Sequence, residues 1–448
     1  MTTTPEALVI GAGFAGCEAA MQLVRAGIPT HLYEMKPVRF SPAHKNPDFA
    51  ELVCSNSFKA KRTGSAAGLM KEEMTRFGSV CVDAARKTEV PAGGSLSVNR
   101  EDFARLVTET LEAEELLTVH REEVTDLNPL LDRLHDEADP LSAVIVAAGP
   151  LVSDALAESL KPLSGDTLHF FDAAAPIVSG DSIDMDKAFF QSRYDRGGED
   201  DYINCPMNKA EYEAFYDALI HAESAELHAF EKKHGVYEGC MPIEVMASRG
   251  PDTMRFGPLK PVGLTDPRTG HRPWACLQLR RETVDGEMYN LVGFQTNLKF
   301  GEQKRVFSMI PGLEHAEFLR YGVMHRNTYI QSPELLGSDF QFRTVPGLYF
   351  AGQITGVEGY MESAMSGILA GRNAARRLHG EEPLDLPVIT MMGALSHYIS
   401  NPSVKDFQPM GANFGVLPPL PDKIRDKKAR YEALAQRSLA WFDEHPQL

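Results

Sequence analysis

A strand, glycine turn, helix and second strand in the first 34 residues, a small-residue strand at Ala143–Pro150 and another at Leu348–Gly352 predict an α/β protein. Strands of this kind lie in one parallel sheet with helices on its faces. A chain of 448 residues exceeds a single ordinary core, which makes two domains the expectation. Between about Lys161 and Val323 the pattern changes to mixed helix and strand. The expected architecture is a Rossmann-like nucleotide-binding domain with a large inserted α+β domain. The first part covers 1–160, the insertion 161–323, and the second part, with a C-terminal helix, 324–448.

Taken in order, Ala7–Ile10 is a short buried strand, and GAGFAGCEAAMQLVRAG is a tight turn opening a helix. Ala19, Ala20, Leu23 and Val24 recur at helical spacing, with Gly27 at the C-cap. Thr30–Tyr33 is the next strand and ends in Glu34. From Phe40 to Arg100 the chain reads as irregular and rich in Gly, Ser and basic residues, with helical patches at Leu69–Phe77 and Cys81–Arg86. Asn99 starts an amphipathic helix through Leu111. In the insertion, a helical stretch Lys209–Lys233 mixes with strand-like Trp274–Leu279 and Tyr289–Phe294, punctuated by Pro and Gly. The helix Ser363–Arg377 follows the late strand, and Ala429–Phe442 is an amphipathic helix.

Composition narrows the class. Apolar content of 43% and charged content of 24% are those of a globular protein. No run of eighteen apolar residues exists to span a membrane, and MTTTPEALVIGAG has neither a basic region nor a signal-peptide core, so the expected location is the cytoplasm. Six scattered cysteines without a CxxC pair argue against disulfides and against a metal site. The net charge of −17 argues against a polyanionic partner unless local basic faces exist.

Gly11, Gly13 and Gly16 have the GxGxxG spacing within Ile10–Gly16 (Ile10, Gly11, Ala12, Gly13, Phe14, Ala15, Gly16). The first glycine allows the turn, the second lets backbone approach a pyrophosphate, and the third lets helix pack on strand. The phosphates then meet a helix N-terminus, and Glu34, eighteen residues after Gly16, is placed for ribose hydroxyls. Glycines at this spacing often serve turns alone, but here strand, helix, second strand and terminal acid agree. AVIVAAGP resembles the strand that two-dinucleotide-fold flavoproteins place late in the FAD domain. GLYFAGQITGVEGYMESAMSGILAGRNAA, with Gly352 and Gly356, resembles their closing motif. The implied cofactor is FAD, and no second GxGxxG is present for a stable nicotinamide site.

GAGFAGCEAA, FAELVCSNSFKA, VPAGGSLSVNR, INCPM, YEGCMPIEVMA, FGPLKPVGLTDPRTG, LVGFQTNLKFGEQKR, YGVMHRNTYI and GVEGYMESAMSG occur in the order seen in the folate- and FAD-dependent tRNA uracil-5 methyltransferase family (TrmFO). The chain resembles that family over nearly its whole length. It is also similar, more distantly, to the large flavoprotein subunit of the tRNA wobble-uridine modification enzyme. The first resemblance implies formation of 5-methyluridine at T-loop uridine 54 of tRNA. Methylenetetrahydrofolate gives the carbon, reduced flavin the reducing equivalents, and NAD(P)H re-reduces the flavin. A wobble-uridine modification flavoprotein, a small-molecule flavin oxidoreductase and a flavin-bound RNA chaperone remain alternative readings.

That chemistry needs a nucleophile at uracil C6, a base for the C5 proton, a carbon donor and a hydride source. By the resemblance Cys240 in YEGCMPIEVMA is the nucleophile candidate. Pro242 suits the first turn of a helix through Ala247, which places the thiol near a helix N-terminus. Glu238 and Glu244 act in the opposite sense. Cys54 has Lys59, Lys61 and Arg62 nearby and is assigned as proton acceptor or second thiol, and the two cysteines could exchange roles. The fifth residue after Cys54 is Lys59, so the CxxxxC of disulfide oxidoreductases is absent. His44 and His325, with Arg326, are candidates to hold the folate, although a lone histidine more often serves structure. Cys81, Cys205 and Cys276 read as packing residues. For a tRNA partner, the basic runs 59–62, 299–305 (with Lys299, Lys304 and Arg305) and 423–430 are candidate phosphate contacts, set against the commoner role of a solvated face.

Overall fold

A computed structural model describes the chain except residues 1–3, 137, 140, 165–167, 174, 196–197, 199–200, 226–240, 284, 323, 405–406 and 447–448. A five-stranded parallel sheet runs in the order Leu348–Phe350, Leu141–Val146, Glu6–Ile10, Thr30–Tyr33, Leu117–His120. Period-two alternation sends its side chains to two cores. Ala7, Val9, Ala143 and Ile145 join one cluster, while Leu8, Ile10, Val144 and Val146 join another on the opposite face.

The predicted βαβ unit forms, with helix Phe14–Arg25 between its strands. Helix Tyr360–Leu378 lies against Phe14–Arg25 at very close range. A Cβ added to Gly367 would come within 2.1 Å of Ala15 O, and one on Gly371 within 2.5 Å of Ala19 O. Four-residue spacing puts both glycines on one helix face, so the two backbones touch.

The chain leaves the parallel sheet and returns through an antiparallel pair, Leu168–Ala173 with Met324–Tyr329. Between them lies a six-stranded antiparallel sheet in the order Phe189–Phe190, Tyr202–Met207, Ala275–Arg281, Met288–Leu291, Ile177–Ser179, Phe318–Arg320, with its own core including Cys205, Phe215, Phe294 and Phe307. The predicted helix Lys209–Lys233 starts at Lys209, where Asn208 and Glu211 form a capping box, but ends at Ile220. Beyond it Ser224 bridges to Leu298 and Ala225 N–H donates to Asn297 O, so 224 and 225 are in extended pairing; the rest of the expected helix, 226–233, lies outside the described residues. The region from Phe40 to Arg100 is less irregular than expected. It holds a small sheet of Ser57–Ala60, Ser95–Val98 and Glu89–Val90, strands too short to show alternation in the sequence.

Glu73 ties three helices together from a fully buried position. Its oxygens accept the N–H groups of Met391 and Met392 at 2.7 and 2.8 Å and the Ser438 hydroxyl at 2.5 Å. Burial pushes its carboxyl up to about 7, against these three bonds. A folded-state value above the ordinary one contributes stability in full below about 4.5 and loses it as pH rises through about 7. Glu73→Gln keeps the shape but loses an acceptor, so it should destabilise by about 1–3 kcal/mol at pH 5. The gap to wild type should narrow by pH 8. Urea melts at both pH values check this, and an equal gap at both would remove Glu73 as its source.

Candidate functional site

One cleft collects the C-terminal ends of all five parallel strands. Its lining includes Ile10, Tyr33 with Glu34, Glu122–Val124, Ala147–Ser153, and Gly352 with Gln353. This is the crevice where open α/β sheets bind ligands, and its empty volume, open solvent at its mouth included, is about 1080 Å³. Ile10, Gly11, Ala12, Gly13, Phe14 and Ala15 line it directly, as the spacing predicts. Gly11 has φ +96°, and a Cβ there would meet Ala147 O at 2.6 Å. Gly16 faces inward, where a Cβ would sit 1.7 Å from Gly11 O, so it packs the helix on the turn.

The cleft fits a dinucleotide on two counts. A Cβ on Gly13 would meet nothing within 4 Å, so the loop is open on the side a pyrophosphate would approach. Gly13 also caps Phe14–Arg25 without a side-chain acceptor, so no cap side chain competes for the first-turn N–H groups. Glu34 is buried in the lining; its Oε2 accepts the Ala12 N–H at 2.8 Å and its Oε1 the Lys36 N–H at 2.9 Å. It braces the glycine loop, and its remaining lone pairs stay available for hydroxyl donors. The closing motif delivers Gly352, Gln353, Tyr360 and Ser363 to the same cleft, with Tyr360 stacked on Phe14 at 4.8 Å between ring centroids. Gly356 is not part of this lining. It has φ +83°, and a Cβ there would lie 2.4 Å from the Phe407 ring, so it is a packing glycine.

Cys54 is half-buried and free, in the segment next to Val53, which lines the cleft. Its N–H donates to the Tyr360 hydroxyl at 2.8 Å. Two of the three cations expected beside it are committed elsewhere. Lys59 pairs with Glu362 at 2.9 Å and Lys61 with Glu89 at 2.5 Å. Arg100, Arg280 and Arg320 approach the Cys54 segment instead. Sequence reading missed all three and Tyr360. Arg100 and Tyr360 stand inside SVNR and GVEGY, so motif membership was the available signal for those two.

Cys240 lies outside the described residues. The helix after it runs Ile243–Ser248 with Pro242 at its N-cap, and Ile243 N–H donates to Gln295 O at 2.7 Å. Burial pushes Glu244 up, opposed by bonds from its own and the Asn297 N–H and from Thr296. Cys17, Cys81 and Cys205 are buried thiols that burial pushes well up, and Cys276 rises to about 12 for the same reason. They are packing residues.

His44 lines the cleft, with Nδ1 2.5 Å from Ser41 Oγ. His325 and Arg326 fall in strand Met324–Tyr329, paired in register with Asp172 and Phe171. Lys299, Lys304 and Arg305 lie at helix Phe300–Phe307, away from the cleft lining. Lys299 pairs with Glu223 and Arg305 with Glu302, each at 2.6 Å, so part of this basic run is internally neutralised. The run at 423–430 is exposed in nearly every residue, and Lys427 and Arg430 sit over the Tyr431 ring. No helix among the described residues is long and apolar enough to cross a membrane.

Residues 6–382 match the family described as glucose inhibited division protein A. A curated protein of Enterococcus faecalis named methylenetetrahydrofolate–tRNA-(uracil-5-)-methyltransferase TrmFO is 52% identical over 437 residues, 97% of each chain. A protein of the same name from Listeria welshimeri is 55% identical over 432 residues, 96% of each chain. Among solved structures, GidA of Aquifex aeolicus superposes with a TM-score of 0.70 at 18% identity, covering 100% of this chain and 74% of that one. That last likeness is one of fold.

Proposed function

The chain belongs to the glucose inhibited division protein A family and, within it, to the TrmFO methyltransferases, and from that premise we propose how its cleft and cysteines carry the reaction. It is a folate- and FAD-dependent tRNA (uracil-5-)-methyltransferase, with methylenetetrahydrofolate as carbon donor. The observation that carries the reading is the joining of two features at one place. The dinucleotide cleft and the Cys54 segment share Val53 and Tyr360.

FAD, when bound, supplies the hydride that turns a methylene carbon into a methyl group. Ile10–Ala15 and Glu34 would hold its pyrophosphate and ribose, and Gly352, Gln353 and Ser363 would border the remainder. His44 holds the folate from the cleft side and His325 with Arg326 from the connecting strand. Cys240 adds to uracil C6, and Cys54 takes the C5 proton or serves as the second thiol. The target is uridine 54 of the T-loop, unstacked to reach the cleft. NAD(P)H acts as a transient reductant without a dinucleotide fold of its own. The segment around the antiparallel sheet and the exposed run 423–430 receive the tRNA backbone, and the protein works in the cytoplasm.

The test uses purified protein, T-loop RNA lacking the modification, methylenetetrahydrofolate and NADPH. A methyl group at C5 of uridine 54 is expected. Methylation at another uridine would overturn the target, and none at all would overturn the reaction in favour of an oxidoreductase or wobble-uridine role.

A further inference from the structure

The five residues 52–56 around Cys54 are each held by an arginine that starts far away in the sequence. Arg100 Nη1 donates to Leu52 O at 2.8 Å and Nη2 to Cys54 O at 3.4 Å. Arg320 donates to Val53 O. Arg280 donates to Ser55 Oγ at 2.7 Å and to Asn56 Oδ1 at 3.1 Å. Arg100 comes from the helix Arg100–Glu112, whereas Arg280 and Arg320 come from strands of the antiparallel sheet.

The charges in this cluster do not balance. Glu282 pairs with Arg100 at 2.6 Å, and among the described residues no carboxylate lies within ion-pair distance of Arg280 or Arg320. The Tyr360 hydroxyl also faces the loop, accepting the Cys54 and Ser55 N–H groups, and the Tyr202 phenol acts on Arg280. Burial opposes the charge on Arg100, but Glu282 outweighs it. Arg280 and Arg320 are held below their ordinary range by burial, with Glu282 and Cys54 acting the other way. A largely buried guanidinium with carbonyl and hydroxyl partners alone is costly, so two of them are a poor way to fasten a loop. Their charge has a use if an anion forms beside them.

We propose that Arg280 and Arg320 are positioning residues for Cys54: they hold its loop from the antiparallel sheet and supply the positive charge against which its sulfur carries a negative one. The proposal rests on the reading of Cys54 as a thiol of the reaction centre.

The test is the rate at which iodoacetamide alkylates Cys54 in the FAD-loaded full-length protein, read on the Cys54 peptide by mass spectrometry. Arg280→Gln and Arg320→Gln should each slow alkylation at neutral pH by about tenfold, because the thiolate is the reacting form. Arg280→Lys should recover most of the rate, since it restores charge without the fork. Unchanged or faster alkylation in the Gln variants would overturn the proposal, because a loop merely loosened becomes more accessible, not less. If Arg280→Gln fails to retain flavin, Arg320→Gln and Arg280→Lys decide by the same signs. The assay uses neither RNA nor folate, so a failure of the methyltransferase reading shows in the methylation assay alone.

Discussion

Cys240→Ala should abolish methyl transfer, with a loss of about 10³-fold or more in turnover, and should leave bound FAD unchanged. The expectation follows from the chemistry of uracil. C5 is a poor nucleophile until a thiolate adds to C6, and in this assignment Cys240 supplies that thiolate. A covalent protein–RNA adduct, trapped with a T-loop RNA and resolved on a denaturing gel, should disappear in the same variant. Cys54→Ala should also stop turnover, but by removing the C5 proton acceptor after the adduct has formed. Adduct retained in Cys54→Ala and lost in Cys240→Ala supports these roles; the reverse pattern would exchange them. An unchanged rate in Cys240→Ala would remove it from the nucleophile role.

Gly16→Val should produce a chain that holds no FAD. Even the Cβ of such a side chain would lie 1.7 Å from Gly11 O and 2.9 Å from Gly11 C, both backbone atoms of the turn that carries the phosphates. Backbone cannot swing aside as a flexible side chain can, so the turn and the start of helix Phe14–Arg25 must move. Overpacking of this kind costs about 1–3 kcal/mol or more, and it falls where the loop has to match a pyrophosphate. The measurement is the flavin-to-protein absorbance ratio after gel filtration with excess FAD, alongside a thermal melt. Gly13→Ala is the informative partner. Its Cβ enters open space, so the fold should keep its stability and the loss should appear in cofactor affinity. Full flavin occupancy in Gly16→Val would show that the turn tolerates displacement and that the glycine is there for another reason.

Much of the cleft was legible because its determinants are local. The turn at Gly11, the helix start at Phe14 and the strand ending at Glu34 lie within a few residues of one another, and each follows from backbone freedom or a terminal dipole. Helix Arg100–Glu112 was legible for the same reason, its Asn99 cap accepting the Glu101 and Asp102 N–H groups. The helix from Lys209 was expected to continue past Ile220 because the helical spacing does, yet it stops there, and 226–233 lie outside the described residues. What ends the helix is pairing of residues 224 and 225 with 297 and 298, which no local pattern records. Gly356 looked like a cofactor residue by its motif. Its partner Phe407, some fifty residues on, makes it a packing position.

The same division holds for charge. The sequence by itself determined that a dinucleotide grip opens the chain, that FAD is its cofactor by resemblance, and that Cys54 and Cys240 are the thiols to examine. Lys59, Lys61 and Lys299 were legible as cations, yet each has an acid that only folding brings to it, whereas the partner of Arg305, Glu302, sits three residues back on the same helix. Only the tertiary structure decided which cations reach Cys54, since Arg280 and Arg320 arrive from strands more than two hundred residues away. The turns and helix starts of the cleft are settled by neighbours in sequence, while the electrostatic environment of Cys54 is settled by neighbours in space.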